Sequence, residues 1–185
     1  MGRAYKNFWS LNTDEAVVAG ILRDETDRDI EVLLPLNAQM KDVDLICVNT
    51  KNRKILTIQV KGSKAYEPKK NEVKKFGDGS TGWFFFPKKS IEKSTADYFI
   101  FLVYVIEQHP HTGRRSIEPH TITIPTHKLK ELVKIHKIPH GKDRYSFYFW
   151  VNPKKKIAFD WRDERYDVSM YLDKKGFEKL NNSLK

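Results

Sequence analysis

The stretch Asp42-Val43-Asp44-Leu45-Ile46-Cys47-Val48, then Asn49-Thr50-Lys51-Asn52-Arg53-Lys54, then Ile55-Leu56-Thr57-Ile58-Gln59-Val60-Lys61-Gly62-Ser63, decides how this chain is read. Two apolar runs of strand length flank a polar segment of turn-forming residues, which is the pattern of two adjacent strands. Side chains alternate across a strand, so Asp44, Ile46 and Val48 share one face, and Thr57, Gln59 and Lys61 share one face of the next strand. If the strands pair as a hairpin, a carboxylate, an amide and an ammonium converge at one edge of the sheet. Half-buried polar groups cost free energy unless they pair with each other or with a cation. Asp42 lies on the same face as Asp44. Asp44 directly abuts the apolar run and is favoured as the functional carboxylate, with Asp42 as the alternative.

Outward from this pair, the spacing of Val17, Val18, Ile21 and Leu22 predicts a helix from Asp14 to about Leu22, with Thr13 or Asn12 as its N-cap. Ile30 to Leu36 reads as a strand, which makes a three-stranded meander with the two above. The Lys-rich stretch from Lys64 to Gly79 holds a short helix or a loop. Trp83 to Phe86 is a short aromatic run, and Asp97 to Ile106 is a strand rich in β-branched and aromatic residues. His109 to Pro119 reads as a loop, followed by a short strand from His120 to Ile124. Thr126 is placed as the cap of a helix carrying Leu129, Leu132, Val133 and His136, closed by Pro139 and Gly141. Tyr145 to Val151 and Ile157 to Trp161 form a hairpin, and Phe177, Leu180 and Leu184 mark a last helix. No internal repeat or low-complexity segment interrupts this order.

With 185 residues, 39% of them hydrophobic, the chain has material for one folded domain. No run of residues approaches the roughly 20 apolar positions of a membrane span, and residues 1–25 lack the core of a signal peptide. Cys47 is the only cysteine, which excludes an internal disulfide and any Cys-based zinc cluster and fits a reducing, cytoplasmic setting. The net charge is +10, unevenly placed: residues 1–50 carry 5 Lys/Arg against 9 Asp/Glu, and residues 51–100 carry 12 against 5. A basic surface of this kind attracts polyanions, because neutralising phosphates releases condensed counterions.

The chemistry that asks for these residue types is phosphodiester hydrolysis with a divalent cation. A carboxylate and a carbonyl-type oxygen suit magnesium, and Lys61 can orient the attacking water or stabilise the charge of the transition state. At this point the residues resemble a known group. Asp44, followed fifteen residues later by Gln59-Val60-Lys61, resembles the core of the PD-(D/E)xK nuclease superfamily, which includes restriction endonucleases and Holliday-junction resolvases. Glu15, in Asp14-Glu15-Ala16-Val17, resembles the first-helix glutamate of resolvase-like members. The matched portion runs from about residue 12 to 106, with additions over about 107–185.

That resemblance implies an α/β fold with a mixed central sheet flanked by helices, a restriction endonuclease-like α-β-β-β-α-β core, and a C-terminal hairpin and helix added to it. It implies a magnesium ion, with manganese as an alternative, held by Asp44, the Gln59 side chain, the Val60 carbonyl and Glu15, with Lys61 as the catalytic lysine. The expected substrate is DNA, with RNA left open, and the expected assembly is a homodimer. Position 59 departs from the more frequent Asp or Glu. A Gln oxygen ligates a hard cation without bringing charge, so metal affinity is expected to be weaker. The alternative is a nuclease-fold protein that binds nucleic acid without cutting it.

Other features have plainer explanations. Glu15 could simply be a carboxylate favoured at a helix N-terminus. Lys64, Lys69, Lys70, Lys74 and Lys75 follow the catalytic lysine and are expected to touch phosphates, although lysine runs are usually solvated faces. Lys154-Lys155-Lys156 sits in a turn, where charge is ordinary. The six histidines lack the compact spacing of a metal site. Trp83-Phe84-Phe85-Phe86 and Tyr145 to Trp150 are expected in the core or at a self-association surface rather than stacked on bases.

Overall fold

A computed structural model describes residues 13–35, 42–108, 113–136, 143–162 and 165–185, the side chains of 108 and 136 excepted. The Asp42 to Ser63 stretch forms the expected antiparallel pair, β2 (Leu45–Asn49) and β3 (Ile55–Gly62), with Ile46 opposite Thr57. On one side β2 pairs with β1 (Ile30–Leu33); on the other, β3 runs parallel to β5 (Tyr98–Gln108). β6 (Arg115–Pro125) closes the sheet, giving the order β1-β2-β3-β5-β6. Pro119 is tolerated within β6 because this is an edge strand, where a missing N–H costs no ladder bond. This is the mixed, helix-flanked sheet that the sequence led one to expect. β1 ends at Leu33 rather than Leu36, and β6 starts at Arg115, inside the stretch read as loop.

Strand alternation assigns each face of this sheet its own core. Leu45, Cys47, Ile58, Val60, Ile100 and Leu102 point to one side. There they meet Val18 and Leu22 of α1 (Thr13–Glu25) and Phe177, Leu180 and Leu184 of α5 (Lys174–Leu184). α5 lies close to β6 because Gly176 has no Cβ to strike the Tyr171 carbonyl and Thr123. Phe99, Phe101, Val103, Ile122 and Ile124 point the other way.

A second sheet covers that other face. β4 (Ser80–Pro87) pairs with β7 (Arg144–Asn152), which continues to β8 (Ile157–Asp160) and the short β9 (Tyr166–Asp167). The C-terminal hairpin is therefore joined by a strand from the first half of the chain. Phe84, Phe86, Phe147 and Phe149 face inward against Phe99 and Phe101. Each fully buried Phe contributes about 1.5–3 kcal/mol. Trp83 and Phe85 face out, 46% and 47% exposed, so the aromatic run is split by alternation rather than packed whole.

Two helices seal the edges of this layer: α3 (Lys88–Glu92) through Ile91, and α4 (Thr126–His136) through Leu129, Leu132 and Val133. Thr126 does not cap α4 through its side chain. Its buried hydroxyl has no partner, while its N–H donates to the Asp97 carbonyl at 2.8 Å. The Lys-rich stretch does contain a helix, α2 (Lys70–Phe76), with Glu72 accepting a hydrogen bond from the Lys69 N–H at 2.8 Å. Phe76 anchors α2 to the outer face of the second sheet, its ring 5.3 Å from those of Trp150 and Phe159. Pro139, Gly141, His109, His111 and His140 lie outside the described residues, as does Asn12. Among the described residues no helix is long and apolar enough to cross a membrane.

Candidate active site

The β2–β3 pairing places Asp44 beside Gln59, and Asp44 then bonds to both neighbours of that residue. Its N–H donates to the Ile58 carbonyl at 2.8 Å, and its Oδ2 accepts the Val60 N–H at 2.8 Å. The same oxygen lies 3.9 Å from Lys61 Nζ, in a pair with side chains 19% and 27% exposed. At that distance the two charges attract without a direct hydrogen bond, so the ammonium keeps its donors for other partners.

Gln59 is 5% exposed and sits on the face of β3 directed toward the second sheet. Its Nε2 donates to Asp42 Oδ1 at 3.4 Å, while its Oε1 is buried with no hydrogen-bond partner. Asp42 holds this position with a φ of 64°, a left-handed conformation that Asp adopts more readily than most residues. The two candidate carboxylates thus have different jobs: Asp42 orients the Gln59 amide, and Asp44 faces Lys61. A buried amide oxygen left unpaired costs about 1–3 kcal/mol, which a donor or a cation would offset.

Glu15 lies in the first turn of α1, 8% exposed, on a helix that packs against β3. Its neighbour Asp14 reaches the strand itself. The Asp14 carboxylate fills the space where a Gly62 side chain would be, and its Oδ1 accepts a hydrogen bond from Tyr104 Oη at 3.0 Å. Burial, followed by this carboxylate, pushes the Tyr104 phenol up to about 12, so it remains a protonated donor. The sequence signal for this contact was a glycine directly after the candidate lysine.

Asp44, Lys61 and the Val60 backbone are brought into contact, whereas the Gln59 side chain, one residue from Val60, contacts Asp42. Among the described residues, no group of three or more His, Cys, Asp and Glu side chains is arranged to hold a metal ion, so a cation here would depend on the amide oxygen and the main chain. The orphaned Gln59 Oε1 fits that requirement, as does the oxygen-only donor set for a hard cation. The lysines stand apart from this centre. Lys64 follows β3 directly, whereas Lys70, Lys74 and Lys75 ride on α2, over the second sheet. Lys154 reaches Asp78 at 3.8 Å and Lys155 Nζ lies near Gly77, so the basic turn adjoins the end of α2.

No protein-family model matches the chain, and no curated protein matches it. Among solved structures, the chain is similar to that described as a bacterial homing endonuclease, I-Ssp6803I. The two share 11% identity, with a TM-score of 0.47 over 94% of this chain and 95% of the other.

Proposed function

We propose that this chain is a divalent-metal-dependent nuclease acting on DNA, with Asp44, Gln59 and Lys61 at its centre. The observation that carries the proposal is the buried, unpartnered Gln59 Oε1 on a residue whose neighbours Val60 and Lys61 both meet the Asp44 carboxylate. Magnesium, or manganese, would be held by Asp44, the Gln59 amide oxygen and the Val60 carbonyl, with Glu15 contributing through a coordinated water. Once bound, the ion would supply an activated water and neutralise charge on the scissile phosphate.

The chain's own residues do the rest. The Val60 N–H fixes the Asp44 carboxylate, and Asp42 fixes the Gln59 amide with its oxygen turned away from that hydrogen bond. Lys61, held near Asp44 by charge alone, is placed to contact a non-bridging phosphate oxygen as negative charge grows there. Lys64, Lys69, Lys70, Lys74 and Lys75 add sequence-independent contacts to the phosphate backbone. Cutting both strands of a duplex calls for two such centres, and hence a pair of chains.

The sparse ligand set favours a second reading, a nuclease-like fold that holds nucleic acid without turnover. A cleavage assay separates the two, using linear, supercoiled and four-way-junction DNA with Mg²⁺, Mn²⁺ or EDTA, for wild type, Asp44→Ala and Lys61→Ala. Metal-dependent cutting lost in both variants is expected. Intact substrate with binding retained would select the second reading, and cutting that persists in both variants would remove these residues from the site.

A further inference from the structure

The outer face of the second sheet carries a cavity that the nuclease centre does not use. Its volume is about 290 Å³, and its walls include Tyr66, Thr81, Trp83, Tyr148 and Trp161, with Glu67, Lys69 and Glu72 also lining it. Three ring pairs line it in sequence. Tyr66 and Trp83 have centroids 6.3 Å apart, Trp83 stacks on Tyr148 at 5.3 Å with planes 24° apart, and Tyr148 meets the Trp161 edge at 5.3 Å.

We infer that this cavity receives an unstacked nucleobase from a single-stranded or locally opened segment of the nucleic acid. The inference rests on the nuclease reading only for the choice of nucleic acid as ligand. Trp83 is stacked on Tyr148 on one side and is still 46% exposed as a residue, so its ring can extend the stack to a flat π-system, and such stacking tolerates any base.

Two wall residues ask for hydrogen bonds as well. Thr81 is 8% exposed with an unpartnered Oγ1, and Trp161 Nε1 is buried with no partner. A hydroxyl and an indole N–H match the mixed acceptors and donors of a base edge. The indole N–H, a donor only, finds no acceptor in an alkylammonium, the other ligand that aromatic walls attract. The two carboxylates of the cavity are already engaged: Glu67 pairs with Arg115 at 2.9 Å, and Glu72 accepts the Lys69 N–H. Two cations lie close by: Lys69 lines the cavity, and the Arg162 guanidinium lies 4.4 Å from the centroid of the Tyr148 ring, one of its walls. That suits the phosphates flanking a base.

The cavity is also tied to the nuclease centre. Ser63, two residues beyond Lys61, accepts the Trp83 N–H at 2.8 Å on its Oγ. The five-residue step from Lys61 to Tyr66 spans at most about 18 Å. A single strand whose phosphate lies at Lys61 can therefore reach Trp83 with a base a few nucleotides away.

The test is equilibrium binding in EDTA, followed by tryptophan fluorescence and by anisotropy of labelled oligonucleotides. It compares a single strand, the same strand with one abasic site, and its blunt duplex. Wild type is expected to bind the single strand with tryptophan quenching. Trp83→Ala should weaken that binding about 5- to 100-fold, the range expected for losing one stacked base. It should leave duplex binding unchanged. Thr81→Val, which removes a buried unpaired hydroxyl without changing the side chain's shape, should keep the fold and lose several-fold in single-strand affinity. Equal affinity of wild type and both variants for the single strand would overturn the inference. So would competition by tetramethylammonium but not by free nucleoside monophosphate. Asp44→Ala serves as a control that separates the two claims: it should lose cutting and keep Trp83-dependent binding, whereas a wild type that binds through Trp83 and never cuts with Mg²⁺ or Mn²⁺ would refute the nuclease reading and leave this one standing.

Discussion

Asp44 Oδ2 accepts the Val60 N–H at 2.8 Å, so the same carboxylate that faces Lys61 also completes the backbone hydrogen bonding of β3. Structure and chemistry can be separated at this residue. Asp44→Ala leaves the Val60 N–H without its partner and should cost about 1–3 kcal/mol. Asp44→Asn keeps an acceptor for that N–H and should stay within about 1 kcal/mol of wild type, while losing the charge needed for a cation. Urea denaturation of both variants, alongside metal-dependent cleavage, checks the split: activity falls in both and stability falls in one.

Lys61 should behave in the opposite way. Its 3.9 Å pairing with Asp44 is partly exposed, and pairs of that kind contribute little to stability. Lys61→Met is expected to melt close to wild type and to lose about 10²- to 10³-fold in single-turnover cleavage, the scale of removing one charge-stabilising donor.

Gly62 has a steric reason to be glycine. A Cβ there would collide with the Asp14 carboxylate, which is itself hydrogen-bonded to Tyr104. Gly62→Ala should therefore force the Asp14 carboxylate out of its place and break its hydrogen bond with Tyr104, lowering the melting temperature. The double variant Asp14→Ala/Gly62→Ala should recover part of the stability, because the colliding atoms are gone.

Cys47 is fully buried in the layer beneath α1 and α5, and burial pushes its thiol from an ordinary 9.0 up to about 12. A raised folded-state value favours the protonated form, so the stability it reflects is complete below pH 9 and is lost as pH climbs from 9 toward 12. Native protein at pH 8 should label with a thiol-disulfide reagent only at the rate of unfolding. Urea should release one thiol per chain. In alkaline melts, Cys47→Ala should show a shallower decline over the same window.

Much of the first sheet was legible because its signals are local. The two apolar runs, Leu45 to Val48 and Ile55 to Val60, together with the polar hexapeptide between them, are the local pattern of a hairpin. From that pairing, the meeting of Asp44 with Val60 and Lys61 follows. The second sheet was harder to see because its pairing is non-local: β4 meets β7 across some 60 residues, and nothing near Trp83 names its partner. The aromatic run was read as one block, although Trp83 and Phe85 alternate with Phe84 and Phe86 in the manner of a strand with one face outward. The sequence favoured Asp44 over Asp42 only because Asp44 abuts the apolar run, since both sit on one face. Their division depends on the left-handed turn at Asp42, which aims its carboxylate at the Gln59 amide.

The central claim is that the unpartnered Gln59 oxygen and Asp44 together hold a divalent cation, and the most direct measurement is Mn²⁺ binding by calorimetry. Wild type, Gln59→Leu and Asp44→Asn are compared, with circular dichroism to verify the fold. Wild type should bind one ion weakly, in keeping with a single carboxylate and a neutral amide, and both variants should lose that ion while remaining folded. Undiminished Mn²⁺ binding in either folded variant would contradict it.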